Sequence, residues 1–151
     1  MFIDKTKLRE TLGRDPVVGF TCSTFDLFHA GHVVMLQEAR ELCDYLIVGL
    51  LTDPTNDRKE KNKSIQSVME RYLQVSACKY VDEVIPFESE GDLLDLILTI
   101  NPDIRIVGEE YEGKDHTGSG LGKIHYNKRR HSFSSSELRE RVAAAEKEKR
   151  G

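Results

Sequence analysis

The chain has 151 residues, 38% hydrophobic and 32% charged, with a net charge of −4. That is enough for one domain with a substantial core, and it excludes a disordered or fibrous polymer. The acidic balance argues against nucleic acid or an anionic membrane as partner, and no apolar run nears the roughly 20 residues of a bilayer span.

The N-terminal residues lack the apolar stretch of a secretory leader. Cys22, Cys43 and Cys78 are odd in number and widely spaced, which fits a reducing cytoplasm better than a disulfide framework or a zinc knuckle.

In chain order, the first dozen residues predict a small helix stopped by Gly13. Val17–Cys22 reads as a buried strand after Pro16. From Val34 to Cys43 the period becomes helical, with Met35, Leu36, Ala39, Leu42 and Cys43 on one face. Tyr45–Leu51 is a continuous apolar run, as in a parallel strand covered on both sides. Thr52–Lys63 is a polar, basic loop. Val68, Tyr72, Leu73 and Val75 form the stripe of a second, less regular core helix. Glu83–Phe87 is a third strand, Leu93–Ile100 a third helix and Arg105–Gly108 a fourth strand. Lys114–Lys123 is Gly-rich and predicts a flexible surface loop, one that could equally close over a substrate. Lys123–Tyr126 is a fifth strand, and Glu137–Lys149 a final, largely solvated helix.

Alternating buried strands and helices define an α/β fold: a Rossmann-like open parallel five-stranded sheet with helices on both faces. Residues 1–15 read as an N-terminal extension, 16–142 as the domain and 143–151 as a charged tail. Ligands of such sheets bind outside the carboxyl ends of the strands. The candidate site therefore lies in Ser23–His32, Thr52–Lys63, Gly108–Tyr111 and Arg129–Ser136.

The first of these segments places His29 and His32 three apart at a helix start, with Gly31 between them. A helix N-terminus gathers unpaired N–H groups and partial positive charge, so two imidazoles there suit a phosphate. Taken alone, the pair is also compatible with a polar cap or with metal ligation. Zinc would want further ligands, and neither Cys22 nor Asp26 completes an obvious set.

Thr24-Phe-Asp-Leu-Phe-His-Ala-Gly-His32 closely resembles the GTFDxxHxGH motif of the cytidylyltransferases, within the HxGH nucleotidyltransferase superfamily. It resembles the glycerol-3-phosphate cytidylyltransferases in particular. The resemblance continues through Tyr80-Val-Asp-Glu-Val-Ile-Pro86 and Gly108-Glu-Glu-Tyr-Glu-Gly-Lys114. It ends at Arg129–Ser136, which is similar to the motif RTEGISTT, so it covers residues 16 to about 142.

This resemblance implies transfer of CMP from CTP to a small phosphorylated alcohol, with loss of pyrophosphate. It implies a homodimer, and Mg²⁺ carried by the nucleotide phosphates rather than by a metal site on the protein. His29 and His32 would stabilise the reacting phosphate, with Lys59 and Arg129 also in the catalytic set. Thr24, Phe25, Lys61, Lys79, Gly108, Glu110, Arg129, Ser134, Ser135 and Ser136 would meet the nucleotide. Lys59, Asp26 and Arg71 would meet the acceptor, and Arg71 reads equally as a structural ion pair.

This chain departs from the family pattern at several positions. Ser23 replaces a glycine, Lys79 an arginine, and Glu109-Glu110 a pair of aspartates. The lysine loop is one residue longer, so Lys63 is able to substitute for Lys59 or Lys61. His131 and Ser132 stand where the last motif has Glu and Gly. Two rivals remain at this level: adenylyl transfer from ATP to a sugar phosphate or similar acceptor, and a catalytically silent nucleotide-binding module.

Overall fold

The computed structural model describes residues 4–151. Helix α1 (Lys5–Leu12) is capped by Asp4, whose carboxylate accepts the N–H groups of Thr6 and Lys7, and it stops at Gly13 in the left-handed region. Arg14 then makes a bidentate pair with Asp44, both contacts 2.7 Å, fixing the extension to the domain.

The strands are β1 (Val18–Ser23), β2 (Tyr45–Leu51), β3 (Glu83–Phe87), β4 (Ile104–Gly108) and β5 (Lys123–Asn127). They form one parallel sheet in the order β3-β2-β1-β4-β5. Helices α2 (Ala30–Glu41), α3 (Val68–Ser76), α4 (Glu90–Ile100) and α5 (Ser135–Arg150) and a single 3-10 turn, Glu109–Tyr111, make up the other elements.

Two apolar cores explain the layering. On one face Leu36 and Ala39 of α2 and Val75 of α3 meet Leu46, Val48, Leu50, Ile104 and Ile106. On the other, Leu93 and Ile97 of α4 meet Val18, Phe20, Ile47 and Phe87. Successive residues of β2 thus serve opposite cores, which is why the whole of Tyr45–Leu51 is apolar. Pro86 is tolerated inside β3 because that strand lies at the sheet edge.

Two expectations change. The inward face of α3 is Val68, Arg71 and Val75, while Tyr72 and Leu73 point to solvent. Arg71, rather than Tyr72 or Leu73 of the apolar stripe, takes the inward position between Val68 and Val75. The Gly-rich stretch is not a loose surface loop. Buried Arg105 of β4 donates to the carbonyls of Thr117 and Gly118, both 3.0 Å. Thr117 donates to Glu90 at 2.6 Å, and His116 pairs with the Tyr126 hydroxyl at 3.0 Å. This stretch is fastened to the sheet and to α4 in place of a crossover helix.

Strand order reverses between β1 and β4, and that switch point sets the site at the carboxyl edge.

Candidate active site

The loop after β1 carries the most unusual backbone in the chain. Phe25 and Leu27 sit at φ of +53° and +50°, conformations that L-residues adopt at a cost of about 1–3 kcal/mol each. Asp26 lies between them, buried, and explains how the strain is held. Its carboxylate accepts the N–H groups of Ile65 (2.8 Å) and Gln66 (3.0 Å) and pairs with Arg139 of α5 at 2.8 Å. Burial alone raises the Asp26 carboxyl, but those hydrogen bonds and the Arg139 and Arg71 charges bring it below the ordinary carboxylate range. Asp26 therefore organises the loop, and its acceptor capacity is spent on protein donors.

His29 is the N-cap of α2, with extended backbone, so the helix starts four residues earlier than its apolar period predicts. The His29 Nδ1 accepts the Gly31 N–H at 3.0 Å, and the His32 Nδ1 accepts the His29 N–H at 3.2 Å. This is a reciprocal cap of the kind that Ser and Glu usually make, built here from two imidazoles. With both Nδ1 atoms accepting, each neutral ring carries its proton on Nε2. The His29 Nε2 donates to the Ser135 hydroxyl at 3.1 Å, which in turn donates to the Asp26 carbonyl at 3.4 Å.

The His32 ring stacks on Phe28 at 5.5 Å and stands edge-on to Phe25 at 5.3 Å. The two histidine rings are 3.9 Å apart. Burial between the aromatic rings, reinforced by His29, pushes His32 down to about 3. His29 is lowered too, by burial first and then by the Arg129 charge and the neighbouring His131. Both imidazoles are therefore neutral donors at neutral pH.

This has a consequence for stability. An unfolded histidine takes its proton near pH 6.5, whereas folded His32 resists it until about 3. Below pH 6.5 the unfolded chain thus binds more protons, and stability falls as pH drops through that window. Denaturant unfolding at pH 7 and pH 5 is expected to show the loss, and His32→Asn to flatten it. The same decline in both proteins would refute the assignment. The low carboxyls, Asp44 at about 2 among them, lose their contribution as pH falls through 3.8 and below, under the pH 5 to 7 interval of that comparison.

The remaining segments close around α2. Ser134 caps α5 by accepting the Glu137 N–H at 3.0 Å, Ser135 faces His29, and Ser136 is exposed in the first turn. The Arg129 guanidinium donates to the Phe133 carbonyl, and its backbone N–H donates to Glu109 at 3.2 Å. Gly108 ends β4, where an added methyl would clash with the Glu110 carboxylate folded back over it. Lys59 and Lys61 are exposed on the segment between β2 and the Asp26-bound Ile65–Gln66. Among the described residues no group of three or more His, Cys, Asp or Glu side chains is placed to hold a metal ion.

Two expected site residues lie elsewhere. Arg71 is 1% exposed, and its guanidinium donates to the carbonyls of Gln66, Thr24, Leu51 and Thr52. It fixes backbone and has no reach to an acceptor. Lys79 sits in the turn leading into β3, at the amino ends of the strands, with its ammonium 5.1 Å from the Tyr80 ring centroid. The sheet separates it from the histidines, so within one chain it does not join the site.

Sequence reasoning missed Gln66, whose side chain accepts the Leu27 N–H at 2.8 Å, and Arg139. The available signal for Arg139 was spacing: it follows Ser135 by four residues, on the same helix face.

A doubly wound parallel sheet with two helix N-termini and paired imidazoles at its switch point defines a phosphate-handling α/β domain. Comparison with known proteins makes the class specific. The cytidylyltransferase-like family model matches residues 20–141, and the chain belongs to that family. It is 35% identical over 123 residues to glycerol-3-phosphate cytidylyltransferase of Bacillus subtilis, covering 82% of this chain and 95% of that one. It is 45% identical over 86 residues to ethanolamine-phosphate cytidylyltransferase of Arabidopsis thaliana, covering 54% of this chain and 20% of that one. Among solved structures, a lipopolysaccharide core biosynthesis protein from Thermoplasma volcanium superposes with a TM-score of 0.64 at 26% identity, covering 77% of this chain and 99% of that one. Among the described residues no helix is long and apolar enough to cross a membrane.

Proposed function

We propose that this protein is a cytoplasmic cytidylyltransferase that moves CMP from CTP to a small phosphorylated alcohol, glycerol 3-phosphate or one like it, and releases pyrophosphate. The observation that carries this reading is the convergence of His29 and His32 at the α2 N-terminus with Arg129, Ser135 and the α5 N-terminus. Two helix ends with two neutral imidazoles between them suit an oligophosphate.

In the reaction, an acceptor phosphate oxygen attacks the α-phosphorus and the bond to the β-phosphate oxygen breaks. The protein supplies position and electrostatic stabilisation rather than a nucleophile. His29 and His32 donate to the α-phosphoryl oxygens as charge builds there. Arg129 and Lys61 hold the outer phosphates, with Ser134, Ser135 and Ser136 at the α5 end. Lys59 aligns the acceptor. Thr24, Phe25, Gly108 and Glu110 border the nucleoside. CTP enters as its Mg²⁺ complex. The donor set fits an ion carried by phosphate and water, since Asp26, the buried carboxylate of this loop, is occupied by protein donors. Bound there, the ion would neutralise phosphate charge.

A dimer belongs to the same reading. Met69 and Leu73, four apart on the outer side of α3, are 65% and 60% exposed, and Ile65 in the segment just before the helix is 65% exposed, an apolar patch beside α3. A second copy of the chain would cover it. Leu73→Glu is expected to yield monomer by light scattering where the parent is dimeric; an unchanged mass would remove this face as the interface.

The function is tested by pyrophosphate release with Mg²⁺, crossing CTP and ATP against glycerol 3-phosphate, phosphoethanolamine and phosphocholine. A CTP-dependent signal with one acceptor is expected. Signal with ATP alone would move the protein to adenylyl transfer, and no nucleotide binding at all would leave the fold without this activity.

A further inference from the structure

A third imidazole stands at the same helix end. His131, in the segment before α5, has its Cε1 3.0 Å from the position that a Cβ on Gly31 would take, and the His29 Cε1 is 2.8 Å from the same point. The two rings are thus near neighbours across the α2 N-terminus, and Gly31 is the residue that leaves room for both. The His131 Nδ1 accepts the Phe133 N–H at 3.1 Å, and its ring stacks on Phe133 at 5.1 Å.

That hydrogen bond fixes the tautomer as it does for the other two histidines. The neutral His131 ring carries its proton on Nε2, which has no protein partner among the described residues. Three imidazoles from two elements therefore share one arrangement: Nδ1 satisfied by a backbone N–H, Nε2–H left as donor. Only that of His29 is turned to a protein acceptor. A role confined to shaping the loop would use Nδ1 alone and would not need the ring against Gly31.

We infer that His131 is a nucleotide-binding residue, whose Nε2–H donates to the CTP phosphates held by His29 and His32 and closes that anion site from the α5 side. The inference rests on the cytidylyltransferase reading. It adds a donor at the position where the motif RTEGISTT carries a carboxylate, so part of the phosphate recognition in this chain is its own.

The test is calorimetric titration of the full chain with CTP and Mg²⁺, with KM, kcat and thermal midpoint measured alongside. His131→Asn keeps an acceptor at the Nδ1 level and places nothing at Nε2, whereas His131→Phe keeps the ring and removes both nitrogens. Both variants are expected to bind CTP about tenfold more weakly, with KM raised in step and the Asn variant melting like the parent. Full affinity in the Asn variant with loss only in the Phe variant would reduce His131 to a loop fastener and overturn the inference. Full affinity in both would overturn it as well. Failure of the unaltered protein to bind CTP would overturn the cytidylyltransferase reading and this inference together, and so is distinguishable from either.

Discussion

Replacing His32 with alanine is expected to lower turnover by two to three orders of magnitude while CTP still binds, the cost typical of losing one preorganised donor to a developing oxyanion. The ring has little freedom: Phe25 and Phe28 flank it, and its Nδ1 accepts the His29 N–H. The ring is consequently fixed before substrate arrives. Because burial holds the pKa near 3, His32 acts as a neutral hydrogen-bond donor and not as a fixed cation. Such a donor gains most when phosphoryl charge grows, so its removal falls on kcat more than on nucleotide affinity.

His32→Asn separates this from a structural effect. The amide oxygen can replace Nδ1 as acceptor for the His29 N–H, preserving the cap, but nothing then occupies the Nε2 position. Restored thermal stability without restored turnover is the expected result. Unaltered turnover in the alanine variant would remove His32 from the chemistry.

The strands were legible because burial on both faces leaves a continuous apolar signature. β2 and β3 run between the predicted residues, Tyr45–Leu51 and Glu83–Phe87. The histidine pair was legible for a different reason, since its spacing and the preceding strand place it at a sheet's carboxyl edge. What failed to show depends on partners distant in sequence. The apolar period alone places the start of α2 at Val34, and only the histidine motif marks its true N-terminus, since the cap is an imidazole rather than the usual Ser, Thr, Asp or Asn. Asp26 and Arg139 are 113 residues apart, and no local pattern links them. Arg105 is read as an ordinary strand residue until its two carbonyl partners in the Gly-rich stretch are seen. Motif matching marks which residues recur at a site, but it does not separate those that touch substrate from those that hold the backbone beneath it. Asp26 and Arg71 belong to the second kind.

Arg71 supplies the largest expected effect on stability. Its side chain enters from α3, beneath the loops that follow β1 and β2, and is among the largest fully buried groups in the molecule. Nε donates to the Gln66 carbonyl at 3.2 Å, and one terminal nitrogen donates to Thr24 (3.0 Å) and Leu51 (2.7 Å). The other donates to Thr52 at 2.5 Å. Loops that leave parallel strands carry carbonyls with no ladder partner, and a buried carbonyl without a donor costs about 1–3 kcal/mol. One planar guanidinium satisfies four of them at once. Arg71→Met keeps much of the apolar stem and strips every donor. It is expected to destabilise the protein by about 3–5 kcal/mol in urea unfolding, as several buried carbonyls lose their donors at about 1–3 kcal/mol each and removal of the buried charge offsets part of that cost. Arg71→Lys is expected to recover only part of this, because a single ammonium cannot span carbonyls on three segments. Since Thr24 begins the loop that carries Phe25, Asp26 and the histidines, folded variant should also turn over more slowly, the reacting groups having shifted. A methionine variant as stable as the parent would show that water or neighbouring N–H groups satisfy those carbonyls instead, and Arg71 would lose its place as the fastening of the active-site loops.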